Sequence, residues 1–171
     1  MLDQFKNFAK IAEDELNAVD LAFVVDTTGS MSSLIETAKQ QMITMLDGLT
    51  KAANIKLRLG VVDYRDHPPQ ENSYVYKVRP FTADLEEARK QINSLELGGG
   101  GDLPESVLDG VNAACVELKW RKHARRLLVL VGDAPPHGVG AAGDGFPKGC
   151  PCGETLHSVT RTAEELCVTI H

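Results

Sequence analysis

The sequence predicts an open, doubly wound α/β fold: a mostly parallel sheet with helices on both faces and one antiparallel edge strand. Three observations carry that expectation. Continuously apolar runs, "LAFVV" at 21–25 and "LLVLV" at 127–131, are what strands covered on both faces require, since no position along them can face water. Between such runs, apolar residues recur at the three- and four-residue spacing of an amphipathic helix. Strands that alternate with helices in this way join into a parallel sheet through right-handed crossovers.

Along the chain, Phe5, Phe8, Ile11, Ala12 and Leu16 share one helical face over residues 3 to 17, so residues 1–19 are expected as an N-terminal amphipathic helix ahead of a domain over 20–171. After the first strand, Leu34, Ile35, Ala38, Met42, Met45 and Leu46 restore helical spacing over 33–50. "IKLRLGVVDY" and "SYVYKVRPF" read as a hairpin, because the intervening "RDHPPQEN" is too short for a helical crossover. Helices are expected at about 83–95 and 104–118, on either side of "LGGGGD". The strand "RRLLVLVGD", a long glycine-rich loop and a helix at about 154–165 follow. A last strand in "CVTIH" would leave an open sheet edge that favours association.

Composition excludes several classes. A chain of 171 residues, 43% hydrophobic and 25% charged, suits one globular domain. Its net charge of -6 argues against a phosphate-backbone binder, and the one dense basic run, Arg121 to Arg126, reads as a solvated helix end. No stretch approaches the ~20 apolar residues of a membrane span, and "MLDQFKNFAK" has no apolar signal core. Neither nucleic acid nor membrane is therefore expected as a partner, and the expected compartment is the cytoplasm. Four cysteines are too sparse for a disulfide framework, and Cys115 and Cys167 sit in apolar contexts that read as core.

Ligands of such sheets bind beyond the carboxyl ends of the strands. Asp26, Asp63 and Asp133 end strands, a turn carrying Asp102 precedes a helix, and all four are expected on one face with Thr28 and Ser30. Each has an ordinary reading when taken alone. Asp102 before "LPE" fits an N-cap with Pro104 and Glu105 in the first turn, and Thr28 and Ser30 fit turn residues that start a helix at Ser32 or Ser33. Asp133 is harder to dismiss, because a carboxylate directly after "LLVLVG" is costly unless paired or hydrated. Acids and hydroxyls brought to one point repel one another without a cation. An all-oxygen set suits Mg²⁺ or Mn²⁺, with Mg–O near about 2.0 to 2.1 Å.

On these residues the sequence resembles the von Willebrand factor type A family, by its metal-ion-dependent adhesion site (MIDAS). "DTTGSM" matches the family's Asp-x-Ser/Thr-x-Ser motif as Asp26, Thr28 and Ser30. Asp102 in "GGGGDLPES" stands at the family's threonine, and Asp133 in "LLVLVGD" matches its last aspartate. The resemblance spans about residues 20 to 171 and implies a Rossmann-like fold. It also implies a Mg²⁺ or Mn²⁺ held by Asp26, Thr28, Ser30, Asp102 and Asp133, directly or through water, with an acidic side chain of a protein partner completing the coordination. Two departures follow from the comparison. An aspartate at position 102 should strengthen cation capture and weaken attraction for an incoming carboxylate. The family's final strand and helix have no counterpart here, so this is either a fragment or a domain whose N-terminal helix covers part of that surface.

Enzymatic readings of "DTTGS" fit less well. Haloacid-dehalogenase-like phosphatases need a second aspartate at the position of Thr28, an aspartic protease needs glycine directly after the first threonine, and no phosphate-cradling "GxxxxGK" loop is present. The loop "APPHGVGAAGDGFPKGCPCGETLH" brings His137, Cys150, Cys152 and His157, which fit a Zn²⁺ site if folded together, a vicinal redox pair, or a loop with no such role. That loop and "YRDHPPQEN", with Asp66 and His67, are expected to border the cation and contact the partner, and His67 reads as a solvated loop residue. The reading reached is a divalent-cation-dependent protein–protein interaction module rather than an enzyme. The alternatives are a structural or regulatory module of a larger protein whose metal only orders the loops, and an aspartyl-phosphate enzyme at Asp26.

Overall fold

The computed structural model describes residues 16–51 and 54–171. Strand β1 (Ala18–Asp26) leads through a 3-10 turn (Gly29–Ser33) into helix α1 (Ile35–Lys51), followed by β2 (Lys56–Tyr64) and β3 (Tyr76–Thr82). Then come α2 (Leu85–Asn93), α3 (Val107–Val116), β4 (Arg125–Val131), α4 (Leu156–Glu165) and β5 (Val168–Ile170). The sheet order is β3-β2-β1-β4-β5. Among the described residues only the β2–β3 pair is antiparallel, which is the expected hairpin. The α/β class and the antiparallel edge strand are therefore as read from the sequence. The helix expected over 3–17 falls almost wholly outside the described residues.

Helices cover both faces, and the two-residue period of β1 distributes its side chains between them. Ala22 and Val24 join Val62 and Tyr64 of β2 under α3 and α4, where Val107, Leu108, Val111, Val159 and Ala163 close one core. Leu21, Phe23 and Val25 join Leu59 and Val61 under α1 and α2, where Ile35, Met42, Leu46, Ala88 and Ile92 close the other. Every residue of β1 is buried, which accounts for its unbroken apolar run. Strand β4 is only half covered, and an apolar groove of about 600 Å³ runs between it and α1, lined by Met31, Met42, Met45, Val129 and Val131.

The structure departs from the sequence-based expectation in four places. Asp63 lies on the α1/α2 face, opposite Asp26, because its register partner on β1 is Val25; it pairs with Arg79 and accepts from Tyr74 Oη at 2.6 Å. The basic run is no solvated helix end. Arg121 reaches the buried Asp20 with its Nε (2.8 Å) and backbone N–H (2.7 Å), while Arg58 Nε and Nη2 grip the same carboxylate at 2.9 and 2.7 Å. Burial alone would raise the Asp20 carboxyl, but these bonds outweigh it and hold the group below its ordinary value. Cys115 is core, whereas Cys167 is exposed, at a positive φ of 52° in the tight turn from α4 into β5. Finally, α3 begins at Val107 behind Ser106, so Asp102 is not its cap. Pro104 disfavours helical backbone at Leu103, and Glu105 instead makes an extended bridge to Pro136, donating its N–H to Pro135 O at 3.0 Å.

Candidate metal centre

Strand β1 is the central strand, and its ladder with β2 and β4 delivers Asp26 to the carboxyl end of the sheet with no exposed surface. The chain then turns sharply. Thr28 folds back so that its N–H (2.8 Å) and Oγ1 (2.6 Å) both donate to Asp26 Oδ1. Its hydroxyl also meets Ser30 Oγ at 3.1 Å, and Ser30 Oγ donates to Asp133 Oδ1 at 2.9 Å. Asp26, Thr28, Ser30 and Asp133 therefore form one continuous chain of oxygens. Thr28 precedes the 3-10 turn without capping it, because its hydroxyl is spent on Asp26. Asp133 is exposed, so hydration as well as Ser30 satisfies its charge.

The glycine-rich segment is locked beside this turn. Gly29 N–H donates to Gly99 O at 3.1 Å, and Gly98 N–H donates to Thr27 O at 2.9 Å. Gly100, at φ 84°, must lack a side chain, since a Cβ there would stand 3.0 Å from Glu105 Oε1 and 3.1 Å from Thr28 Cβ. Gly132 of "VGD" is needed for a different reason: its Cβ would come within 2.5 Å of Tyr64 Oη and 3.2 Å of Asp26 Cβ.

Asp102 goes elsewhere. Its Oδ2 accepts from Gly145 N–H at 2.6 Å, and burial together with the neighbouring Asp66 raises its carboxyl above the ordinary value. The acid that stands with Asp26 and Thr28 is Glu105, 1% exposed, pushed up to about 9 by burial and then by the charges of Asp26 and Asp66. Sequence reading missed Glu105 because it assigned that residue to a first helical turn, where acids are ordinary. The available signal was Pro104, which favours extended chain before the helix. Burial also raises Asp26, more than the Thr28 bonds lower it, with Asp133 adding to the rise. Asp26 Oδ2 is a buried oxygen with no hydrogen-bond partner, whereas Asp66 and Asp102 share a side-chain hydrogen bond and Glu105 is tied to Thr28. An orphaned acceptor of this kind is rare in folded proteins and suits a cation.

The loop residues separate into two groups, not the one set the sequence suggested. His137, 3% exposed, bridges Asp66 Oδ1 (Nε2, 2.7 Å) and Asp144 Oδ1 (Nδ1, 2.9 Å). Burial would lower its imidazole, but the two carboxylates outweigh that and raise it, while Asp66 and Asp144 are themselves held low. Cys150 and Cys152 instead gather with His67 and Asp109. His67 is thus not a solvated loop residue, and its side chain is 15% exposed. His157 is exposed in the first turn of α4, in neither group.

The chain is 31% identical over 141 residues to alpha-protein kinase vwkA of Dictyostelium discoideum, covering 81% of this chain and 22% of that protein. It is 30% identical over 138 residues to an ariadne-like RING finger protein of Acanthamoeba polyphaga mimivirus, covering 79% of this chain and 13% of that one. Proximal thread matrix protein 1 from the mussel byssus shares the fold with a TM-score of 0.66 at 15% identity, over 90% of this chain and 35% of that chain. A second structure of the same mussel protein, with a zinc-occupied MIDAS motif, gives 0.61 at 15% identity over the same shares. Among the described residues no helix is long and apolar enough to cross a membrane. With the von Willebrand factor A domain model matching residues 20–137, and the motif, sheet order and strand-end oxygens described above, the chain belongs to the von Willebrand factor A domain family.

Proposed function

We propose that this domain binds a protein partner through a divalent cation held by Asp26, Thr28, Ser30 and Asp133, with Asp102 acting only through water. The observation that supports it is Asp26 Oδ2, buried and without a donor, on the carboxylate whose Oδ1 begins the oxygen chain through both hydroxyls to Asp133. A cation bound there would supply positive charge to the cluster and an open position for a partner's carboxylate. The donors are oxygens throughout, which favours Mg²⁺ or Mn²⁺. The zinc in the mussel protein's MIDAS is support for a divalent ion of some kind.

The domain itself is read as a binding module. An aspartyl-phosphate route would need Asp26 accessible as a nucleophile and an acid opposite it, whereas Asp26 is 0% exposed, its Oδ1 takes two bonds from Thr28, and position 28 carries a threonine. The kinase name belongs to a protein of which this chain spans 22%. In the second reading the ion orders the loops and the loops alone meet the partner, which the His137 bridge between Asp66 and Asp144 favours.

Calorimetric titration with Mg²⁺, then with an acidic peptide in the presence and absence of Mg²⁺, tests both. Saturable Mg²⁺ binding that Asp26→Asn removes, and peptide binding only with the ion, support the first reading. A flat Mg²⁺ titration overturns the site, and Mg²⁺ binding without any ion-dependent peptide binding leaves the ordering role.

A further inference from the structure

We propose that His67, Asp109, Cys150 and Cys152 form a zinc site, separate from the strand-end cluster, that fastens the β4–α4 loop to helix α3 and to the β2–β3 loop. One ligand atom from each lies within 4.8 Å of all the others. Cys150 Sγ stands 2.8 Å from Asp109 Oδ2, 3.3 Å from His67 Nε2 and 2.9 Å from Cys152 Sγ, and His67 Nε2 is 3.3 Å from Asp109 Oδ2. The residues come from three segments far apart in sequence, so local chain geometry does not account for their meeting. Two sulfurs, one imidazole and one carboxylate form a set that suits zinc, and the thiolates and imidazole set it apart from an all-oxygen magnesium site.

The spacing suits a tetrahedral ion. Zn–S bonds of about 2.3 Å and Zn–N or Zn–O bonds of about 2.0 to 2.2 Å imply ligand-to-ligand edges of about 3.3 to 3.8 Å. The hydrogen-bonded separations above need to open by less than about 1 Å to reach those edges. The loop is also shaped to present its sulfurs. Gly149 and Gly153 flank Cys-Pro-Cys at φ 116° and 80°, Gly153 N–H closes a turn on Cys150 O at 3.0 Å, and Glu154 N–H points at Cys152 Sγ at 3.3 Å. An amide aimed at sulfur favours a thiolate. Asn112 of α3 holds Glu154 Oε1 at 3.0 Å and keeps the loop on the helix. Zinc binds thiolate, so its entry displaces the proton of each cysteine thiol.

Cobalt substitution tests this, because Co²⁺ bound by thiolate gives a sulfur-to-metal charge-transfer band that Co²⁺ among oxygens does not. With the chain reduced, we expect Co²⁺ to produce that band together with strong tetrahedral ligand-field absorption, Zn²⁺ to erase both, and Asp26→Ala to leave them intact. Cys152→Ser and His67→Gln should weaken zinc, measured against a chromophoric chelator, by more than the roughly 10- to 100-fold that loss of a ligand's outer hydrogen-bond partner costs. Should a variant fail to fold, native mass spectrometry of the Asp26→Ala chain decides: one retained zinc supports the site and none overturns it. A missing charge-transfer band with all thiols free overturns it. So does a Cys150–Cys152 disulfide in chain prepared under reductant, which would make the pair a redox couple.

Discussion

Ser30 Oγ and Asp133 Oδ1, 103 positions apart in sequence, lie 2.9 Å from each other. Their meeting follows from β1 and β4 being parallel neighbours in register from Val19↔Arg125 to Val25↔Val131, which ends both strands at one level. The candidate cation site is thus a product of strand order.

Mg²⁺ should raise the thermal midpoint. At a hundredfold excess over Kd the native state gains about 2.7 kcal/mol, roughly 5 to 10 °C for a chain of this size. Asp26→Ala and Asp133→Ala should remove the shift in differential scanning fluorimetry. An equal shift in wild type and both variants would place the ion elsewhere.

Asp102 should matter less than its place in the motif suggests. Its Oδ2 accepts from Gly145 N–H, and an asparagine oxygen can do the same. Asp102→Asn is expected to change Mg²⁺ affinity by less than about tenfold, about 1.4 kcal/mol, while Asp26→Asn abolishes binding. Comparable losses in calorimetry would return Asp102 to the ligand set.

Gly132→Ala should destabilise the fold by about 1 to 3 kcal/mol through overpacking against Tyr64 Oη. Tyr64→Phe in the same chain should restore part of that loss, since it removes the atom 2.5 Å from the new Cβ. Urea denaturation of the four chains in the double-mutant cycle gives the coupling. Strict additivity would mean that the clash lies with Asp26 instead.

Acid should act at Asp20. Its folded pKa is lowered by Arg58 and Arg121, so its contribution is present above the unfolded value of 3.8 and is lost as pH falls through the folded value. Asp20→Asn should cost about 3 kcal/mol at neutral pH, because it leaves two arginines without their carboxylate. As pH falls below 3.8 and through the lowered folded value, the wild type and variant stability curves should converge in urea melts. Curves that stay parallel to the lowest pH would show that Asp20 never titrates.

Much of this was legible in the sequence because it is local. "LAFVV" is the unbroken apolar run that a strand buried on both faces requires, and Asp26, Thr28 and Ser30 lie close enough in one segment that the turn alone brings them together. The hairpin was readable from the short "RDHPPQEN". The unreadable parts depend on distance along the chain. Glu105 comes to Thr28 and into the field of Asp26 because Pro104 delays the helix and a bridge to Pro136 turns the segment inward. Asp109 and His67 meet the cysteines only once α3 is docked on the sheet. Arg121 finds Asp20, 101 positions away, across the amino end of β1, which no local pattern announces.

The placing of Asp20 with Arg58 and Arg121 has a practical consequence. Strand β1 carries a buried acid near each end: Asp20, neutralised by arginines, and Asp26, left with an orphaned oxygen. One end is a rivet and the other a socket. Positions 28, 30 and 133 of the proposed cation site can therefore be varied while the arginine clamp six residues down the same strand keeps the scaffold folded.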